Sequence, residues 1–285
     1  MGSRGTRDQR IRGTRLYIRF IMENFKTIEV TTERSVSTIW LNRPEVRNAF
    51  NALMVSELSE AFKELGNDRL VRVIVVRGKG KAFCAGADLN WMKEAVNYSR
   101  EDNYKEALQL SALFHDIYSC PKPVISMVHG ASTGGANGIV AASDIAICAD
   151  DTVFSLSEVK LGLVPAVISP YVIKRVGEFP ARELMLTAKR IKGEEAAGRG
   201  LVNRSCPPLK LEEEVEELVA QLLEGGPSAI SITKKLIYDV CNKQSLSTSI
   251  EKTAAIIADM RTSEEGLEGM AAFLEKRKTR WAEKS

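Results

Sequence analysis

The chain has 285 residues, 44% of them hydrophobic and 27% charged, with a net charge of +3. That length can bury a large core in one or two domains, the composition is that of a soluble globular protein, and no apolar run approaches a membrane span. Cys84, Cys120, Cys148, Cys206 and Cys241 are scattered, odd in number and never spaced as CxxC. They argue against a disulfide framework or a zinc site and point to a reducing, cytoplasmic location. With only His115 and His129 present, no histidine-based metal site is expected.

Residues 1–21, MGSRGTRDQRIRGTRLYIRFI, hold six arginines and one aspartate. The +3 of the whole therefore hides a body of −2, and no basic face for nucleic acid is expected there. The arm is expected to be disordered or non-native, with Met22 as the native start. A transit peptide, or a tail that binds RNA or a membrane, is the alternative. KTIEV (26–30) and STIWL (37–41) read as paired strands around TTERS. Asn48 is the expected cap of a helix whose apolar face is Met54, Leu58, Ala61, Phe62 and Leu65. VRVIVVRG (71–78) is a buried strand, and KGKAFCAGADL is a loop of small residues. A helix follows over 101–118, then strands at 123–128 and 144–149 and an extended TVFSLSE. Strands and helices alternate to about residue 160, which predicts an α/β fold. From residue 180 only helices are expected, at 181–188, 211–224, 228–241, 247–260 and 264–277.

Two small-residue turns after buried strands are the candidate site, FCAGADL (83–89) and GASTGGANG (130–138). The second has P-loop glycine spacing at Gly130 and Gly135, but Ala136 stands where the lysine belongs. Its first two glycines are too far apart for GxGxxG. Small residues let a ligand approach the backbone, and two converging N–H groups make an oxyanion hole. Close packing between elements is the competing reading. Glu158 is a lone carboxylate beside apolar sequence. A solvated charge is the ordinary reading; an apolar pocket would instead raise its pKa and suit it to acid–base work. His129 reads as a hydrogen-bonded structural histidine and His115 as partly exposed. Cys84 has no histidine near it in sequence, and Ser132 and Ser157 lack a GxSxG elbow.

With these residues in view, KAFCAGADL, HGASTGGANGIVAASDIAICADDTVFSLSEVKLGLVP, LNRPEVRNAFNALM and GMAAFLEKRKTRW together resemble the crotonase (enoyl-CoA hydratase/isomerase) superfamily from about Met22 to Trp281. The closer resemblance, through SEVKLGLVPAVISPYV and AFLEKR, is to methylglutaconyl-CoA hydratases. The resemblance implies an α/β spiral of ββα units over residues 22–210 and a C-terminal helical trimerisation region over 211–285, in homotrimers or homohexamers. It implies an acyl-CoA thioester ligand, no separate cofactor and no metal. The thioester oxygen would accept the amides of Ala87 and Gly135. Ala85 and residues Ala87, Asp88, Leu89 and Asn90 would line the CoA side, with Lys81 near its phosphates. Phe273 and Lys276 match tail positions that touch CoA, often from a neighbouring subunit.

One position departs from the two-glutamate pattern. Gly138 stands where the first glutamate belongs, so Glu158 is the one family carboxylate retained. The implied activity is reversible hydration of a short branched 2-enoyl-CoA. Δ3,Δ2-enoyl-CoA isomerisation and acyl-CoA decarboxylation are the alternatives with one carboxylate. An acyl-CoA or RNA binding protein is the alternative without catalysis.

Overall fold

The computed structural model describes residues 6–11, 14–20 and 25–282. Strand β1 (Thr6–Ile11) forms a hairpin with β2 (Thr14–Phe20), and β2 pairs antiparallel with β3 (Ile28–Glu33). The arm expected outside the fold thus adds two strands to it. On its other side β3 pairs with β4 (Val36–Leu41), so β2 covers what would be a free sheet edge. Met22, read as the native start, lies outside the described residues.

Helix α1 (Ala52–Asn67) buries the predicted face of Met54, Leu58, Ala61, Phe62 and Leu65. Its cap is Asn51, whose side chain accepts the Met54 N–H at 2.9 Å, and not Asn48. Asn48 is fully buried in a left-handed turn, φ 57°. Its carboxamide accepts the Arg43 N–H and donates to the carbonyls of Lys79 and Ala82. It joins two loops instead of starting a helix.

Next come β5 (Val73–Gly78), α2 (Leu89–Ala95), α3 (Arg100–Ser119), β6 (Val124–Val128), β7 (Ala131–Thr133), α4 (Ala136–Ala142), β8 (Ile145–Ala149) and β9 (Val153–Ser155). A 3₁₀ turn at Glu158–Leu161 leads to α5 (Ser169–Val176), α6 (Glu178–Thr187), β10 (Ile191–Lys192), α7 (Gly193–Gly198) and β11 (Arg204–Cys206). The helices α8 (Leu211–Glu224), α9 (Pro227–Lys243), α10 (Leu246–Thr262) and α11 (Glu264–Leu274) complete the described chain. The helices-only expectation past residue 180 therefore fails at β10 and β11. Two and three residues are too short to show a periodicity of two, and β11 has a polar sequence, RSC.

The main sheet has the order β1-β2-β3-β4-β5-β6-β8-β11 and is parallel from β4 onward. A second sheet has the order β10-β9-β7. Successive turns of chain lay one long strand in the first sheet and a short strand or bridge beside the second, then a helix. The triplets are β5, the Cys84↔Ser132 bridge and α3; β6, β7 and α4; β8, β9 and α5. This is the expected repetition of ββα units.

The parallel strands are apolar on both faces because both are covered. Ile74 and Val76 of β5 face one buried cluster, shared with α1, α3 and α4. Val73 and Val75 face the other, where Leu211, Val215 and Leu218 of α8 cover the sheet. After Gly225 and Gly226 the character changes. Helices α9 to α11 pack on one another and leave Ile237, Leu246, Ile250, Ile257 and Leu267 exposed.

Candidate active site

The two small-residue turns lie side by side. The Cys84 N–H donates to Ala131 O at 3.0 Å, and the Thr133 N–H donates to Cys84 O at 3.1 Å. A Cβ on Gly86 would stand 2.8 Å from Thr133 O, and φ there is +94°, so this close approach needs glycine. On its other side the first turn pairs with Phe50: the Phe50 N–H donates to Gly86 O, and the Asp88 N–H donates to Phe50 O, each at 2.7 Å. Ala87 stands between these bonds, exposed. Among the described residues its own N–H meets no acceptor.

The second turn holds β7, the head of α4 and Asn137. Asn137 is fully buried, and its Nδ2 lies 3.0–3.3 Å from the carbonyls of Ser132, Gly134 and Ser155. Its Oδ1 accepts the Ser132 hydroxyl. The Gly134 N–H donates to Ser155 O at 2.8 Å. Asn137 therefore binds the glycine turn to β9, which leads to Glu158. Gly135 precedes α4, and among the described residues its N–H also meets no acceptor. A Cβ on Gly135 would touch only the Phe50 ring, at 3.9 Å, an ordinary contact. Packing within the chain does not demand a glycine at that position.

Glu158 opens the 3₁₀ turn. Its Oε1 lies 3.4 Å from where a Cβ on Gly134 would stand, so the carboxylate is beside the turn that carries Gly135. Its Oε2 is buried and has no hydrogen-bond partner. Burial pushes its pKa above the ordinary carboxylate value, only partly offset by a hydrogen bond from its own backbone. A carboxylate in this state can both take and release a proton.

Gly138 lies in different surroundings. A Cβ there would come within 2.4 Å of Phe114 Cζ and 2.7 Å of Ile168 Cγ2. The volume beside Gly138 is thus already filled by a buried ring and a buried methyl group.

Other expected residues lie apart from this centre. Asp88 is buried, and its carboxylate is committed within the chain. It accepts Arg43 Nη2 at 2.7 Å and the Asn90 N–H at 2.8 Å, capping α2. Burial raises its pKa, but the Arg43 hydrogen bond, the Asn90 N–H and the Arg43 charge outweigh that, so the net shift is downward. Ala85 is half-buried and donates its N–H to Arg47 O. Lys81, Leu89 and Asn90 are exposed along the first turn. Phe273, at the end of α11, is 83% exposed. Lys276, just beyond it, has a left-handed backbone and is also exposed. Within one chain α11 packs against α9 and α10.

Alternative nucleophiles lose support. Burial pushes the Cys84 thiol up to about 12. Ser132 spends its hydroxyl on Asn137. His129 Nε2 pairs with Gly80 O at 2.9 Å, as a structural histidine should, and His115 is exposed. Sequence reasoning missed Arg43, Phe50, Phe114 and Asn137. The one sequence signal for any of them was that Asn137 sits inside the glycine turn. Among the described residues no helix is long and apolar enough to cross a membrane, and no cluster of three His, Cys, Asp or Glu side chains could hold a metal.

A family model described as enoyl-CoA hydratase/isomerase matches residues 31–284. The crystal structure of an enoyl-CoA hydratase from Shewanella pealeana is similar, with a TM-score of 0.87 and 35% identity over 91% of this chain and 97% of that one. The crotonyl-CoA hydratase of Syntrophomonas wolfei is 30% identical over 91% of this chain and 99% of its own length. The peroxisomal Delta(3,5)-Delta(2,4)-dienoyl-CoA isomerase of Arabidopsis thaliana is 31% identical over 92% of this chain and 99% of its own.

Proposed function

The chain belongs to the enoyl-CoA hydratase/isomerase family, and on that premise we propose that it catalyses reversible hydration of a short, branched 2-enoyl-CoA of the methylglutaconyl type. The observation that carries this reading is the buried, unpartnered Oε2 of Glu158 beside the Gly134–Gly135 turn. Glu158 takes a proton from water as the water oxygen attacks C3. The electrons of C2=C3 move onto the thioester oxygen, which the amides of Ala87 and Gly135 stabilise. Glu158 then returns the proton to C2. Loss of one such donor costs about 100- to 1000-fold in kcat. Coenzyme A enters as part of the substrate. Lys81 and the exposed Ala87, Leu89 and Asn90 supply its docking surface, with Phe273 and Lys276 from a neighbouring subunit. The exposed apolar side chains of α9 to α11 support assembly as a trimer or a pair of trimers.

A second reading is isomerisation of a 3-enoyl to a 2-enoyl thioester, which needs one base moving a proton between C4 and C2. The Phe114 ring beside Gly138 favours it, because no second carboxylate can hold an attacking water there. Purified protein incubated with 2-enoyl-CoA and 3-enoyl-CoA thioesters separates the two. Formation of the 3-hydroxyacyl product supports hydration; 2-enoyl product alone supports isomerisation. Glu158→Gln should keep acyl-CoA binding and lose turnover by about 100-fold or more. Near-normal turnover in that variant overturns both readings.

A further inference from the structure

A guanidinium stands at the far end of a line of peptides that leads to the Ala87 amide. Arg43 Nη1 donates to Ala49 O at 2.6 Å. The Ala49–Phe50 peptide is trans, so its N–H points away from that carbonyl. This N–H, on Phe50, donates to Gly86 O at 2.7 Å. The Gly86–Ala87 peptide repeats the geometry and leaves the Ala87 N–H at the open end, with no acceptor among the described residues. Arg43 is held from its other side by Asp88, Nη2 to Oδ2 at 2.7 Å. Its backbone is tied by Asn48 through the bond to Asn48 Oδ1. Its side chain is 17% exposed, so solvent screens its charge only in part.

We propose that Arg43 is a positioning residue that aims and polarises the Ala87 amide through these two peptides, with Asp88 as the brace that holds the guanidinium in line. The inference rests on the reading of Ala87 as an oxyanion donor. A cation at a carbonyl draws electron density toward that end of the peptide and makes its N–H a stronger donor. Hydrogen bonds in series pass the effect on. The same two bonds fix the plane of the Gly86–Ala87 peptide, and with it the direction of the donor. A fork is needed because one group must reach both Ala49 O and Asp88; an ammonium is a point charge. Asp88, expected to touch CoA, is thereby given a different task, since both of its oxygens are already used.

The test reads the donor itself. Butyryl-CoA, isotopically labelled at the thioester carbonyl, is bound to the full chain, and its carbonyl stretch is recorded by difference infrared spectroscopy. Binding to the wild type should lower the frequency. The lowering should weaken in the order wild type, Arg43→Lys, Arg43→Gln. In Arg43→Gln, kcat should fall about tenfold while Kd for butyryl-CoA stays within about twofold. Arg43→Lys should recover part of both the shift and kcat. If Arg43→Gln does not fold, Arg43→Lys carries the test alone. An unchanged band in whichever variant folds overturns the relay and leaves the oxyanion reading standing. A wild type that produces no lowering overturns the oxyanion reading as well.

Discussion

Gly135 and Gly138 lie one helical turn apart at the head of α4, and a methyl group would meet opposite surroundings at each. At Gly135 it would touch only the edge of Phe50, at 3.9 Å. At Gly138 it would enter the ring of Phe114, at 2.4 Å. The first glycine leaves its surroundings open apart from that ring. The second gives its space to the core. One residue type thus meets two environments within a turn: nearly open space at Gly135 and a filled core at Gly138. The difference also explains why the site has one carboxylate. A glutamate at 138 has no room while Phe114 is there.

The largest effect should come from forcing the closed side open. Gly138→Glu is expected to cost about 3 kcal/mol of stability or more, because it overpacks a buried site and buries a charge. Phe114→Ala alone should cost about 3–5 kcal/mol. Combined, the two should be clearly less destabilising than their sum. Denaturant melts of the four proteins give this coupling, and strict additivity would mean that the ring is not what excludes a side chain at 138.

On the open side, Gly135→Ala should melt close to the wild type yet lose about 100-fold or more in kcat, as the methyl group displaces the thioester oxygen. Gly135→Val should abolish turnover with the fold intact. Retained activity in either would remove the oxyanion role from Gly135.

Glu158 offers a smaller effect with a definite sign. Its folded-state pKa is raised by burial, so the folded state favours the proton. Its contribution to stability is then greatest below the unfolded pKa and is lost as pH rises through the folded value. Glu158→Gln removes the buried charge. It should therefore raise Tm above the wild type at pH 8, and the gap should close toward pH 4. A Tm lower at pH 8 than at pH 4, relative to wild type, would reverse the sign. The smallest effect belongs to the exposed rim. Lys81→Ala should raise KM for the CoA ester about threefold at low salt and less at high salt, the usual size for a surface charge contact.

Much of this arrangement is legible in sequence where it depends on neighbours along the chain. The α/β alternation, the apolar face of α1 and the two small-residue turns are local patterns, and the structure contains all three. Glu158 stands out because a charge beside apolar sequence is conspicuous. What could not be read depends on contacts between distant segments. Asn48 looked like a cap because it precedes a helix, but its partners, Lys79 and Ala82, belong to another loop. Phe114 reads as one more apolar residue of α3 until α4 is laid against it. Arg43 and Asp88 meet only because Phe50 pairs with the first turn. The β11 strand is defined by β8, which supplies its register from Ile147 to Ala149.

Asn137 adds a consequence for the lifetime of the protein. Asn-Gly is the pair most prone to spontaneous deamidation, because glycine leaves its backbone nitrogen free to attack the preceding carboxamide. In the native state two sets of hydrogen bonds restrain that reaction. The Gly138 N–H is bonded to Gly135 O, and the Asn137 carboxamide is held by the carbonyls around it. Once the turn opens, both restraints are released together. The product carries a carboxylate where a donor faced Ser132, Gly134 and Ser155, and this arrangement cannot be rebuilt. Heat would then age the enzyme chemically, turning brief unfolding into permanent loss at the residue that keeps Gly135 beside Glu158.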